Sequence, residues 1–435
     1  MGRRSRATVL TGTFLNGVFV AALGAAGLQA QEVVDLPAED LPLSPDLQLV
    51  YRLGSAAATA EWEQFSAIQN VAFDGAGNLY LLNGARLAGT SHVVVVNAVG
   101  QYVRDFGRAG GGPGEFRAPT QLVVWEDGRA VVEDMMRRGY HIFSPNGEFE
   151  DTVRESGSGF GIASRPGLRP AWTGSRSLIG RSERSIVRVD MSSEEVAEHT
   201  LVEAWPPHQR EESRDRGNRE IEDIIGEVWG FEPEVLFDVL PSGKVVFSDS
   251  SGYALKLTDP SGTVSRILRR PIQPLPVTDE MKRTERERLV EIRRSRRDTW
   301  FGTPTPEMVA LVNDVKTAWL AAAENMRFFP EVPLIAAVRA TWDGTLWVQR
   351  STEPGADEPG PIDVIAPDGR YLGTLQTGTA ALPDMPDAFG PGGLVAFIGA
   401  DEFDVPVITV WRLPPAIRLE SARPPPGAGR SALTR

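Results

Sequence analysis

The chain has no cysteine among its 435 residues. Disulfides, thiolate metal sites and lipid attachment at an N-terminal cysteine are therefore excluded. Stability must come from a large buried core, which a hydrophobic content of 41% can supply. Histidine is nearly as scarce. The four present, His92, His141, His199 and His208, never stand at zinc-ligand spacing. Beyond residue 30 no run is long and apolar enough to span a bilayer. Positive charge is also in short supply, with 45 Lys and Arg against 58 Asp and Glu, a net charge of −13. Nucleic-acid binding needs a basic footprint and is excluded on that ground. The sequence contains no EF-hand loop and no Gly-x-Ser-x-Gly elbow.

What is present begins with an export pattern. Arg3, Arg4 and Arg6 are followed by an apolar run from Val18 to Ala26 and small residues up to Ala30. This predicts a signal peptide over residues 1–30, cut before Gln31. Cleavage would remove three basic residues and no acid, leaving 42 basic against 58 acidic, net −16. The mature chain is expected in the periplasm or outside the cell, as a monomer.

A unit then recurs. FDGAGNLYLLN at Phe73 reappears as WEDGRAVVED at Trp125, LPSGKVVFSD at Leu240 and TWDGTLWVQR at Thr341. Degraded copies are AWTGSRSLIG at Ala171 and FGPGGLVAFIG at Phe389. Most copies are followed by a second strand pair around a tight turn, such as YHIFSPNGEFEDTV or IDVIAPDGRYLGTL. Pro-Asn-Gly and Pro-Asp-Gly are hairpin signals because glycine accepts the positive φ these turns need. Alternation of apolar and polar residues beside them marks half-buried antiparallel strands. The turn glycines, Gly77, Gly128, Gly174, Gly243, Gly344 and Gly393, are 51, 46, 69, 101 and 49 residues apart. Three gaps fit a β-propeller blade of about 40–50 residues, and the two longer ones a blade plus an insertion.

The fold predicted is all-β: a six-bladed β-propeller of four-stranded antiparallel blades, each with strands A to D from the axis outward. The last copy lacks strand D, and LQLVYRLG (Leu47 to Gly54) is spare, so the N-terminal strand should close the sixth blade. Residues 31–46 then form a linker, 47–413 the propeller, and 414–435 a disordered Pro-rich tail. Residues 271–330 are expected as a helical insertion between blades 4 and 5. Its first helix lies in Asp279–Asp298, and the second starts at Thr305-Pro306, a capping residue before a first-turn proline. Met308, Leu311, Val312, Val315, Trp319, Ala322 and Met326 fall on one face of that second helix.

The series VVEDMMRRGYHIFSPNGEF, followed by a Gly-rich turn, resembles the NHL-type repeat of exported bacterial six-bladed propellers. The resemblance runs over roughly residues 47–413 and implies binding or scaffolding outside the cytoplasm, with no common reaction.

The Gly-rich stretch FGRAGGGPGEFRAPT, Phe106 to Thr120, is not a phosphate cradle. No helix follows it, Pro113 removes an amide, and no lysine is present. It reads as a crossing between blades, with Phe116 wedged between them. Departures from the repeat gather in the connections that open on one face around the channel: Leu201 to Glu234, Pro271 to Pro330 and Gln349 to Pro361. That face is the expected binding surface, for a protein, a carbohydrate or a small molecule. Arg137 and Arg138 in a B-to-C turn, and Arg293, Arg294, Arg296 and Arg297 in the insertion, are its candidate ligand contacts. No catalytic residue and no cofactor are expected. The alternative is a metal-dependent lactonase, esterase or lyase, in which Asn70 and Asp238 on inner strands would supply oxygens to a divalent ion. Asp134 and Asp249, closing B strands, are expected to bond turn amides.

Overall fold

The computed structural model describes residues 31–84, 91–155, 167–172, 176–206, 227–295, 305–415 and 417. Six sheets stand around an axis, and their innermost strands are Ile68–Phe73, Pro119–Val124, Arg169–Pro170, Leu236–Val239, Ile335–Ala340 and Ala388–Phe389. Each inner strand is followed by three antiparallel partners moving outward, which makes a six-bladed β-propeller. The turn after strand A is set by glycine: Gly77, Gly128, Gly243 and Gly344 have φ of 82°, 87°, 79° and 83°. A side chain would be strained in that region, which is why the motif repeats with glycine in place.

The blades are held face to face by apolar layers. Tyr80, Leu82, Val93, Val95 and Phe106 of blade 1 pack on Leu122, Val124, Val132 and Phe143 of blade 2, with Phe116 from the crossing between them. Phe116 is 2% exposed and meets Phe143 edge-on at 5.8 Å, so the wedge expected from sequence is present. Gly107 makes room for it, since a Cβ there would lie 2.4 Å from the Phe116 ring. No helix follows the glycines. Glu115 folds back instead to accept from the Gly112 amide and pair with Arg108.

Closure follows the predicted scheme. Strand β3 (Gln48–Leu53) pairs antiparallel with Pro406–Arg412 as the outer strand of blade 6. Residues 31–46 correct the expectation of a linker. Strand β1 (Glu32–Asp35) adds in parallel to Val264–Arg269 of blade 4, and β2 (Pro42–Leu43) to Tyr371–Leu375 of blade 5. Arg270 pins this arm. Its side chain is wholly buried and donates to the carbonyls of Pro37, Ala38 and Glu39 and to the carboxylates of Asp40 and Asp363. The guanidinium also lies 4.6 Å from the Tyr371 ring. A buried cation is tolerable only when its donors are satisfied in this way. At the other end, Ile417 is 2% exposed and packs against blades 5 and 6, so the packed chain runs past 414.

The insertion contains helices α1 (Asp279–Ser295) and α2 (Pro306–Glu324), between blades 4 and 5. Thr305 caps α2 by accepting from the Met308 amide, with Pro306 in the first turn. Of the predicted apolar face, Met326 is buried and Val312, Val315, Trp319 and Ala322 are half-buried. Met308 and Leu311 stay exposed at 46% and 56%.

Candidate functional site

The arginines singled out from sequence have local tasks. Arg137 donates through Nη2 to the Gly112 carbonyl at 2.9 Å, tying the B-to-C turn of blade 2 to the glycine crossing. Arg138 adopts φ 50° in that turn, and its carbonyl accepts from the Glu155 amide. Arg293 stacks 3.8 Å from the Trp319 ring centroid, and Arg294 lies 3.7 Å from Glu324, so both join α1 to α2. Arg296 and Arg297 lie outside the described residues, as does most of the charged crossing after Glu203. Asp134 bonds the amides of Arg117, Ala118, Met136 and Arg137, as expected of a turn-closing carboxylate. Asp249 accepts from the Trp205 amide and from Lys256.

The histidines are dispersed. His141 is fully buried on strand C of blade 2, with Nδ1 3.0 Å from Thr152 Oγ1, and burial pushes its pKa down. His92 begins strand C of blade 1, His199 lies on the exposed outer strand of blade 3, and His208 is outside the described residues.

Chemistry converges instead on the axis. All six inner strands line one cavity of about 150 Å³, and its lining includes Asn70, Gln121, Arg169, Asp238 and Arg339 on five of them and Asp387 immediately before the sixth. Most of these serve as clips between blades. Asn70 Oδ1 accepts from the Leu122 amide at 2.9 Å, and Gln121 Oε1 from the Leu168 amide at 3.0 Å. Asp238 accepts from Arg169 Nε at 2.9 Å and the Val239 amide through Oδ1, and from the Ala340 amide through Oδ2. Burial pushes its carboxyl up, against the opposing pull of Arg169 and the two amides. The oxygens of both proposed metal ligands are thus engaged in hydrogen bonds between blades. Among the described residues no three His, Asp or Glu side chains are gathered to hold a metal.

Arg339 differs. It stands five residues before the turn glycine Gly344, as Asp238 does before Gly243. An Asp there accepts the next blade's amide; a guanidinium has no acceptor and cannot. Its Nε is buried without a hydrogen-bond partner, and among the described residues its guanidinium forms no ion pair. Asp387 in blade 6 accepts from the Ile398 amide at 2.7 Å. As a residue it is exposed, yet the protein around its carboxyl and the neighbouring Asp384 push its pKa up.

The apolar part of the wall is aromatic. Trp172 of blade 3 and Trp342 of blade 5 meet edge-on at 4.7 Å, across the inner strand of blade 4. Their indole N–H groups donate to the carbonyls of Val239 and Phe389, so the rings face the space as apolar surface. No described residue of the insertion lines this cavity. A wider hollow of about 740 Å³, with Trp62, Tyr102 and Asp105, lies on the outer side of blade 1 and draws on no other blade's sheet. Sequence reasoning found Asn70 and Asp238 but missed Arg169, Arg339 and Asp387. For Arg169 and Arg339 the available signal was charge at the position five residues before the turn glycine, where blades 1, 2 and 6 carry Ala72, Val123 and Ala388; Asp387 lies one residue earlier and carried no such signal.

No family model matches the chain, and no curated protein does. Several solved structures are distantly similar to it. A Bacteroides fragilis protein classed by name alone as exported is 12% identical, with a TM-score of 0.48 over 88% of this chain and 99% of its own. A DUF4221 family member from Bacteroides vulgatus is 12% identical, with a TM-score of 0.47 over 85% of this chain and 98% of its own. Virginiamycin B lyase from Staphylococcus aureus is 11% identical, with a TM-score of 0.39 over 85% of this chain and all of its own.

Proposed function

We propose that this chain is an exported binding propeller that takes a small ligand into the axial channel, with the decorated rim as a surface for a protein or carbohydrate partner. One observation carries the reading. The channel wall holds a cation, Arg339, without a partner, at a position where the preceding blade uses its side chain as a clip. A ring built only to hold itself together gains nothing from an unpaired, half-buried charge, because desolvating it costs free energy. Export is supported by the basic and apolar pattern of the first 30 residues, and binding rather than catalysis by the resemblance to NHL-type propellers. The metal-dependent alternative has less behind it, since the oxygens of Asn70 and Asp238 are already engaged.

The ten tryptophans offer a direct test. Residues 31–435 are labelled with 5-fluorotryptophan, the resonances of Trp172 and Trp342 are assigned with Trp172→Phe and Trp342→Phe, and a small-molecule library is titrated. Ligands that raise the melting temperature should move these two resonances first. Movement confined to other tryptophans, such as Trp62 or Trp205, would place binding elsewhere and overturn the reading.

A further inference from the structure

We infer that the channel ligand is a small monocarboxylate with a compact apolar body, its carboxylate held by Arg339 and its body against Trp172 and Trp342. This deepens the reading just given and rests on it. Four features of the cavity point the same way.

The first is the cation. A guanidinium presents its N–H groups in a planar fork that matches a carboxylate in two parallel hydrogen bonds. Arg169, the other arginine of the wall, is already engaged by Asp238 at 2.9 Å. Arg339 is left to supply the positive charge.

The second is the sign and number of charges. Arg339 shares the cavity with Asp387 and Asp238, in a chain of net charge −13. One unpaired cation between carboxylates suits a single negative charge. Phosphate or sulfate at neutral pH would bring a second charge with no cation to meet it.

The third is the wall. Val71, Phe73, Val123, Phe389 and the two tryptophans give one part of the lining an apolar character, which suits an aliphatic or aromatic body beside the charged end. The last is size. A cavity of about 150 Å³ accommodates a molecule about as large as benzene. Benzoate and butyrate are therefore suitable probes. A carboxylate could also arrive on a peptide C-terminus. The narrow bore favours the free acid, and a short peptide such as acetyl-glycyl-phenylalanine tests the other source.

The experiment is calorimetric titration of residues 31–435 with benzoate, butyrate, benzamide, inorganic phosphate and that peptide, alongside the fluorotryptophan spectra. Benzoate or butyrate should bind and shift the Trp172 and Trp342 resonances, while benzamide and phosphate do not. Arg339→Gln should weaken binding by about tenfold or more, the scale of a lost charge-assisted pair. Arg339→Lys should retain part of it, which separates loss of charge from loss of fold. Equal affinity for benzamide and benzoate, or an Arg339→Gln variant that binds benzoate as the parent does, would overturn the ligand class. If the two channel resonances still moved, the channel would survive as the site. Absence of binding by benzoate and butyrate alike would also overturn it. Binding by the peptide alone would replace the free acid with a chain terminus.

Discussion

Two residues carry most of the electrostatic consequence of this structure. Arg270 is buried with Asp363, and neither side chain has any solvent exposure. Replacing it with Met leaves Asp363 charged and short of its main partner, so Arg270→Met should destabilise the protein by about 3–5 kcal/mol. A second change, Asp363→Asn, should recover part of that loss, because the stranded charge is then gone. Urea denaturation of the three proteins checks both steps, and a double variant no more stable than Arg270→Met would contradict the account. Asp387 works with the opposite sign. Its folded-state pKa is raised, so the native state holds the proton more tightly than the unfolded chain does. That contribution is complete below the ordinary value of 3.8 and is lost as pH rises through the raised folded value. Asp387→Asn keeps an oxygen for the Ile398 amide and should flatten this fall in stability, leaving the variant more stable than the parent at neutral pH. Melting curves between pH 3 and 8 read the difference. Parallel curves for the two proteins would refute the sign.

At the scale of elements, the N-terminal arm is the device that sequence reading undervalued. Strands β1 and β2 are short and carry no repeat glycine, so nothing in their pattern separates them from a linker. Their place is decided by what they meet: the free outer edges of blades 4 and 5 and the donors of Arg270. Deleting residues 31–46 should expose both edges, lower the melting temperature and promote self-association, since an unpaired edge is a template for another strand. Analytical ultracentrifugation of residues 47–435 against 31–435 tests this; a shortened protein that stayed as monodisperse and as stable would show the arm to be ornamental. The helices were legible because a capping Thr before Pro is a local signal. The rim arginines were legible as charge, and their engagements were not: Arg293 on Trp319 and Arg137 on Gly112 join residues that only the fold brings together.

For the molecule as a whole, the repeat announced the ring. Turn glycines at blade spacing and a spare N-terminal strand are one-dimensional signals, and both map onto the observed sheets. The channel was half legible for the opposite reason. Asn70 and Asp238 could be placed on inner strands, yet their use as clips depends on the amide of the neighbouring blade. Arg339 lies in IAAVRATW, an ordinary inner strand to a reader without the repeat register, and only its position before Gly344 marks it as a substitution for a clip. A six-fold wall with five members turned to cohesion or capped by an amide, and one charge left over, is what makes the bore a candidate for recognition rather than a by-product of closure. The most direct test is a crystal structure of residues 31–435 soaked with a fragment library that includes small acids. The account predicts ordered fragment density in the bore beside Arg339, with the Trp172 and Trp342 rings as its floor. Fragments that settle on the rim or on the outer side of blade 1, while the bore holds only water, would contradict it.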